Sequence, residues 1–138
     1  SGGSLWGGPS TSSSLASSPV TFVGEAASSR AGWAVELVPD FDGDGAADLA
    51  VGAPYVSSGS ALCGKVYMLS GGPRAWVGVN ALADASISWL GEAPGDHLGS
   101  AIAAGDADAD GLSDLLLGAP DADDSGSSSG SVYLVLGW

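Results

Sequence analysis

Two groups of four aspartates recur along this chain at the same internal spacing. Asp40, Asp42, Asp44 and Asp48 stand in the stretch PDFDGDGAADLAVGAP, and Asp106, Asp108, Asp110 and Asp114 in GDADADGLSDLLLGAP. The shared pattern, D-x-D-x-D-G-x-x-D, fits a loop around a hard cation. Calcium takes about six to eight oxygens at about 2.3–2.6 Å, and carboxylates at positions 1, 3 and 5 of a tight loop converge on one point. Gly45 and Gly111 follow the third aspartate, where the turn is sharpest and a side chain would hinder it. The backbone carbonyl at position 7, Ala46 or Leu112, can add an oxygen. Asp48 or Asp114, at position 9, closes the shell and starts the next strand. Without a cation the arrangement is costly, because two carboxylates about 4 Å apart repel by about 4 kcal/mol at an effective dielectric near 20. A solvated acidic turn is the plain alternative, since Asp and Gly are common turn formers. Two loops in register, each entering the same kind of apolar strand, weigh against it. An EF-hand needs an acidic ligand at position 12. Here Val51 or Leu117 stands there, inside a strand.

The loops belong to an internal repeat. The first aspartates of the two groups are 66 residues apart, and the same offset carries Gly52-Ala53-Pro54 onto Gly118-Ala119-Pro120 and Val66-Tyr67 onto Val132-Tyr133. Upstream, VTFVGEA from Val20 matches ISWLGEA from Ile87 at an offset of 67, so the second copy lacks one residue between Gly99 and Asp106. Residues 20–86 form the first unit and 87–138 the second. Residues 1–19 read as a flexible lead-in: SGGS resembles a cloning scar, and STSSSLASS is Ser-rich. LWGGP near the start looks like the tail of a preceding copy, as if the chain came from a longer array.

Each unit yields four strands. They are expected near Val20–Val23, Trp33–Val38, Leu49–Ala53 and Lys65–Leu69, then near Ile87–Leu90, Ser100–Ala104, Asp114–Ala119 and Ser131–Leu136. No stretch of ten or more residues keeps helical periodicity free of Gly or Pro. In DLAVGAP, Leu49, Val51 and Ala53 point one way and the small Ala50 and Gly52 the other. A half-exposed sheet would instead alternate apolar and polar residues. Strands apolar on one face and small on the other suit a sheet stacked between two others, as in a β-propeller.

Composition excludes several classes. The chain has 138 residues, with 16 acidic against 3 Lys and Arg, a net charge of −13. That balance speaks against nucleic acid and against an anionic membrane surface. No apolar run reaches the roughly 20 residues of a membrane span. Hydrophobic residues at 45% separate the chain from disordered acidic tails. Cys63 is the only cysteine, which rules out an intrachain disulfide. It reads as a small apolar filler. His97, the only histidine, stands in a turn beside Asp96 and reads as a surface residue. With eight of the acids in the two loops, few remain for acid–base work, and no enzyme is expected.

At this point GDADADGLSDLLLGAP…GSVYLVLG resembles the FG-GAP repeat of integrin α-subunit β-propellers and related bacterial proteins. The resemblance runs from about Val20 to Trp138. It implies an all-β fold of two four-stranded antiparallel propeller blades with two structural calcium ions. Their ligands would be Asp40, Asp42, Asp44, Ala46 and Asp48, and Asp106, Asp108, Asp110, Leu112 and Asp114. The family's opening Phe-Gly stands here as Ala31-Gly32 and Leu98-Gly99, with Trp33 a candidate for the missing aromatic plug. Family propellers carry about seven blades, and two cannot close a ring. With Trp33–Val38 innermost, Val20–Val23 lacks its own blade and the last blade lacks its outer strand. Head-to-tail assembly of copies is therefore expected, three giving six blades and four giving eight. The expected role is an extracellular or cell-surface scaffold or adhesion surface. Protein or carbohydrate partners would meet the rim loops 57–62 and 121–129. A hydrolase-associated domain and an excised or designed fragment without its own activity are the alternatives.

Overall fold

The computed structural model describes residues 14–59 and 61–138. Expectations for residues 1–13, including SGGS and LWGGP, and for Ser60 of loop 57–62 lie outside the described residues. Nine strands follow in order: β1 (Val20–Val23), β2 (Ala34–Val38), β3 (Asp48–Ala53), β4 (Lys65–Leu69), β5 (Gly78–Ala81), β6 (Ile87–Leu90), β7 (Ala101–Gly105), β8 (Asp114–Ala119) and β9 (Ser131–Val135). One-turn 3-10 helices occur at Leu15–Ser17, inside the segment expected to be a flexible lead-in, and at Leu82–Asp84. No helix among the described residues is long and apolar enough to cross a membrane.

The first sheet has the order β2-β3-β4-β6 and is antiparallel throughout. Its fourth strand comes from the second sequence unit, as the offset repeat requires. The second sheet, β7-β8-β9, has three strands. The expectation of two four-stranded blades is corrected here, because no described strand pairs with the outer edge of β9. The candidate for that place, β1, lies instead in a two-stranded parallel sheet with β5. Strand β5 escaped the sequence reading: Gly78-Val-Asn-Ala has neither alternation nor an apolar run, and its conformation follows from its neighbour.

Register locates the missing residue of the repeat. Val38 lies opposite Asp48 in the first sheet and Gly105 opposite Asp114 in the second. The innermost strands therefore correspond along their whole length, and Pro39 is the residue without a counterpart.

Alternation along the strands divides the apolar side chains between two layers. Val38, Ala50, Val66 and Met68 face Leu115, Leu117 and Ala119 of the second sheet and Leu98 of the turn before it, and together they form one core between the two sheets. Val51, Ala53, Val56, Tyr67 and Leu82 point the other way and form a second core, on which Phe22 and Trp76 pack edge to face. Small residues set the spacing between the sheets. A Cβ on Gly52 would stand 2.1 Å from the Gly99 carbonyl oxygen, and one on Gly64 would stand 2.2 Å from that of Leu98.

Candidate metal centres

Each acidic loop joins the innermost strand of a sheet to the next, β2 to β3 and β7 to β8. The loops curl by local hydrogen bonding of the aspartates to their own backbone. In the first, Asp40 Oδ2 accepts from Gly45 N–H at 3.1 Å, Asp42 Oδ1 from Asp44 N–H at 3.2 Å and Asp44 Oδ1 from Ala46 N–H at 2.8 Å. In the second, Asp106 Oδ2 accepts from Gly111 N–H at 2.9 Å, Asp108 Oδ1 from Asp110 N–H at 3.2 Å and Asp110 Oδ1 from Leu112 N–H at 2.9 Å. Gly45 and Gly111 take φ of 86° and 92°, the left-handed conformation that their lack of a side chain permits.

Position 9 anchors both loops. Asp48 is fully buried; its Oδ2 accepts from Phe41 N–H at 2.8 Å and its Oδ1 from Gly71 N–H at 2.9 Å. Asp114 repeats this, accepting from Ala107 and Gly137. Those two N–H groups, Gly137 foremost, hold the Asp114 carboxyl below its usual range although burial opposes it. Asp108 is displaced upward. Desolvation contributes most, and the negative charges of Asp110 and Asp114 add to it against the N–H of Asp110.

Within each loop the structure gathers positions 1, 3 and 9. One carboxylate oxygen from each of Asp40, Asp42 and Asp48 lies within 4.8 Å of the others, and so do those of Asp106, Asp108 and Asp114. Asp44 and Asp110 stand outside these triads, their carboxylates turned onto backbone N–H groups. Ala46 and Leu112 are the donors to those carboxylates and keep their places in the loops. Asp40 Oδ1 is buried and has no hydrogen-bond partner. An orphaned oxygen on one of three clustered carboxylates is costly without a cation. The all-oxygen donor set suits a hard cation of the calcium type. On both counts the residues present fit the ion.

Sequence reasoning missed three contributors. Ser70 Oγ donates to Asp42 Oδ2 at 2.8 Å, and Gly71 and Gly137 hold the buried aspartates. The glycines lie one repeat apart, just after the VY strands, and that offset was the available signal. His97 also gains a setting that its sequence neighbours did not indicate. Its Nδ1 lies 2.7 Å from Asp121 Oδ2, and its ring lies 5.0 Å from that of Tyr55, under the Arg30 guanidinium. Asp96, its sequence neighbour, is buried and accepts from Ala93 N–H within its own turn. Cys63 is buried against Val56.

Sheets of this topology, stacked face to face with an acidic loop after each innermost strand, are FG-GAP units. The family model for the FG-GAP repeat matches residues 31–67 and 98–135, more than half of the chain, and the chain belongs to that family. Among curated proteins it is similar to the phosphatidylinositol-glycan-specific phospholipase D of Bos taurus. The two are 34% identical over 135 residues, a match that covers 88% of this chain and 16% of that protein.

Proposed function

We propose that this chain is a calcium-binding pair of β-propeller blades that serves as an extracellular scaffold or adhesion-type binding surface. Each chain would hold two calcium ions, bound by Asp40, Asp42, Asp44, the Ala46 carbonyl and Asp48, and by Asp106, Asp108, Asp110, the Leu112 carbonyl and Asp114. The observation that carries this reading is the buried, unpartnered Asp40 Oδ1 beside Asp42 and Asp48. The ion's part is structural: it offsets the carboxylate repulsion and fixes the loop between two strands. The chain's own contribution is the anchoring of Asp48 and Asp114, which holds each loop entrance against the strand that follows. In this reading copies assemble head to tail into a closed ring, three for six blades or four for eight. Rim loops 57–62 and 121–129 then face a protein or carbohydrate ligand.

Calorimetric titration of the metal-stripped chain with calcium tests the metal reading. Two ions per chain are expected, with magnesium much weaker because it demands a smaller, more regular shell. Absence of binding heat together with an unchanged melting curve would overturn it.

The similarity to a phospholipase supports a second reading, a non-catalytic propeller segment of a longer hydrolase. The chain spans about a sixth of that relative, so the carboxylates here need no part in its chemistry. In this reading the 138-residue chain alone releases no product from a glycosylphosphatidylinositol substrate with or without calcium. Turnover lost on His97→Ala would replace both readings with an enzymatic one.

A further inference from the structure

The long connection between β4 and β6 frames a cavity of about 340 Å³, set between the end of β4 and β5 with the 3-10 helix that follows it. Its whole wall comes from one stretch in the middle of the chain, residues 69–86, and includes Ser70, Trp76, Asn80 and Asp84. The volume lies within the range of about 300–1,000 Å³ usual for small-ligand sites. Neither the acidic loops nor rim loops 57–62 and 121–129 supply a wall residue.

Contacts outside the cavity hold three of these four side chains. Trp76 packs edge to face on Phe22, with ring centroids 5.3 Å apart, and is half-buried. The Asn80 amide nitrogen donates to the carbonyls of Val77, Gly78 and Thr21 at 3.3, 3.2 and 3.4 Å. Three carbonyls around one end fix the orientation of the amide and leave Oδ1, an acceptor, for a ligand. Ser70 Oγ gives its hydrogen to Asp42 Oδ2 at 2.8 Å, so it too meets a ligand with lone pairs. Asp84 is exposed and joins neither of the two ion pairs found among the described residues. No lysine or arginine among the described residues lines the cavity.

We propose that this cavity is a binding site for a primary alkylammonium group, the head of a small amine or of a lysine side chain. An ammonium brings three N–H donors and no acceptor, the complement of the Asp84 carboxylate, Asn80 Oδ1 and Ser70 Oγ. The flat fork of a guanidinium is built instead for one carboxylate taken bidentately. A cation within about 6 Å of an indole face is attracted to it, and the Trp76 ring also covers the alkyl stem. A calcium ion would need about six or more oxygens, against the single carboxylate of this wall. The net charge of −13 raises the local concentration of cations. Because the wall side chains are held before the ligand arrives, little order is lost on binding.

Nuclear magnetic resonance titration of the full chain in calcium buffer tests the site, read at the Trp76 indole N–H and the Asn80 side-chain amide. The probes are n-butylammonium and the capped tripeptide Gly-Lys-Gly, with the same tripeptide acetylated on Nζ as the neutral control. Saturable shifts at both signals are expected with the two cationic probes. The acetylated tripeptide keeps the stem but loses the charge, and should bind about tenfold more weakly or worse. Asp84→Asn should weaken both cationic probes by about tenfold, the loss of one charge-assisted hydrogen bond. Glu36→Gln, which removes one charge from β2, should leave them unchanged. Tighter binding of the tripeptide assigns the site to a peptide lysine, and equal or tighter binding of n-butylammonium to a free amine; both uphold the ammonium site. Shifts that the acetylated tripeptide matches, that survive Asp84→Asn, or that appear only in residues 40–48 and 106–114 would overturn it. So would the absence of any shift. Calorimetry with calcium reads the acidic loops separately, so failure of this site leaves the metal reading standing, and the reverse.

Discussion

The backbone N–H of Ser113, in the second acidic loop, donates to the carbonyl of Asp40, in the first, at 3.0 Å. The Trp138 N–H donates to the next carbonyl, that of Phe41, at 2.9 Å, and the two rings meet edge to face at 4.9 Å. The two candidate metal loops are therefore one connected piece of backbone. Order imposed on one reduces the freedom of the other, the condition for positive coupling. Asp110→Ala should remove the second ion and also weaken calcium at the first site by about fivefold or more, the low end of typical coupling. Calorimetric titration of the variant reads both effects, and an unchanged affinity at the remaining site would show the loops to be independent.

Metal removal should act through stability. A site at 100 times its dissociation constant contributes about 2.7 kcal/mol, a large share of a marginal domain's total. Excess chelator should lower the melting temperature by many degrees. Asp44→Ala and Asp110→Ala should each mimic the loss of one ion and, with chelator present, cost little beyond one exposed bond to the Ala46 or Leu112 N–H. Asp48→Ala should behave otherwise. Its carboxylate holds the N–H groups of Phe41 and Gly71 whether or not an ion is bound, and hydrogen bonds to a charged group are worth about 1.5–3 kcal/mol. A melting comparison with and without chelator separates the two classes.

The eight strands foreseen from the sequence all exist, and their order around the repeat is the one the offset implied. They were legible because a sheet stacked on both faces leaves long apolar or small-residue runs between turn residues, as in Asp48–Ala53 and Asp114–Ala119. The acidic loops were legible because ligand spacing is local. What escaped was non-local. Strand β5 owes its shape to β1, some 58 positions away in register. Tyr55 and His97 meet across two sheets, and neither sequence neighbourhood announces the other. The turning of Asp44 and Asp110 onto backbone N–H groups depends on loop conformation that residue spacing leaves open.

Gly52→Ala and Gly118→Ala make a discriminating pair, because the residues are repeat equivalents in different surroundings. A Cβ at Gly52 would collide with the Gly99 backbone, whereas one at Gly118 would meet the Ala101 Cβ at 3.4 Å. The first should cost about 3 kcal/mol, the upper end for overpacking, and separate the sheets. The second should leave the unfolding free energy, from denaturant titration, within about 0.5 kcal/mol of the native value, as for a tolerated surface change. Equal costs would mean that the two sheets are not held at the spacing described.

Ala109 occupies the loop position held by Gly43 in the first copy, and both have positive φ, 62° and 77°. A left-handed alanine costs roughly 1–2 kcal/mol that glycine does not. Part of that gain is lost to the greater freedom of glycine in the unfolded chain. Ala109→Gly should therefore stabilise the protein by about 0.5–1 kcal/mol, read as a rise in denaturant midpoint without a change in slope. A fall would show that the second loop relaxes out of this conformation.

The Glu25–Lys65 ion pair, at 3.1 Å, should give the protein a small acid-labile component. Desolvation raises the Glu25 carboxyl, but the Tyr67 hydroxyl and the Lys65 ammonium outweigh it, and the net displacement is downward from 4.5. A carboxylate with a depressed folded-state value contributes stability that is present above its unfolded value and is lost as pH falls through the folded one. Both partners are partly exposed, which limits the contribution to about 0–1 kcal/mol. Glu25→Gln should thus cost up to about 1 kcal/mol at pH 7, with the difference shrinking below pH 4.5 and vanishing at lower pH. Glu36→Gln, a change on β2 outside this pair, serves as the control. A Glu25→Gln penalty that persisted undiminished at low pH would assign the residue's contribution to packing rather than charge.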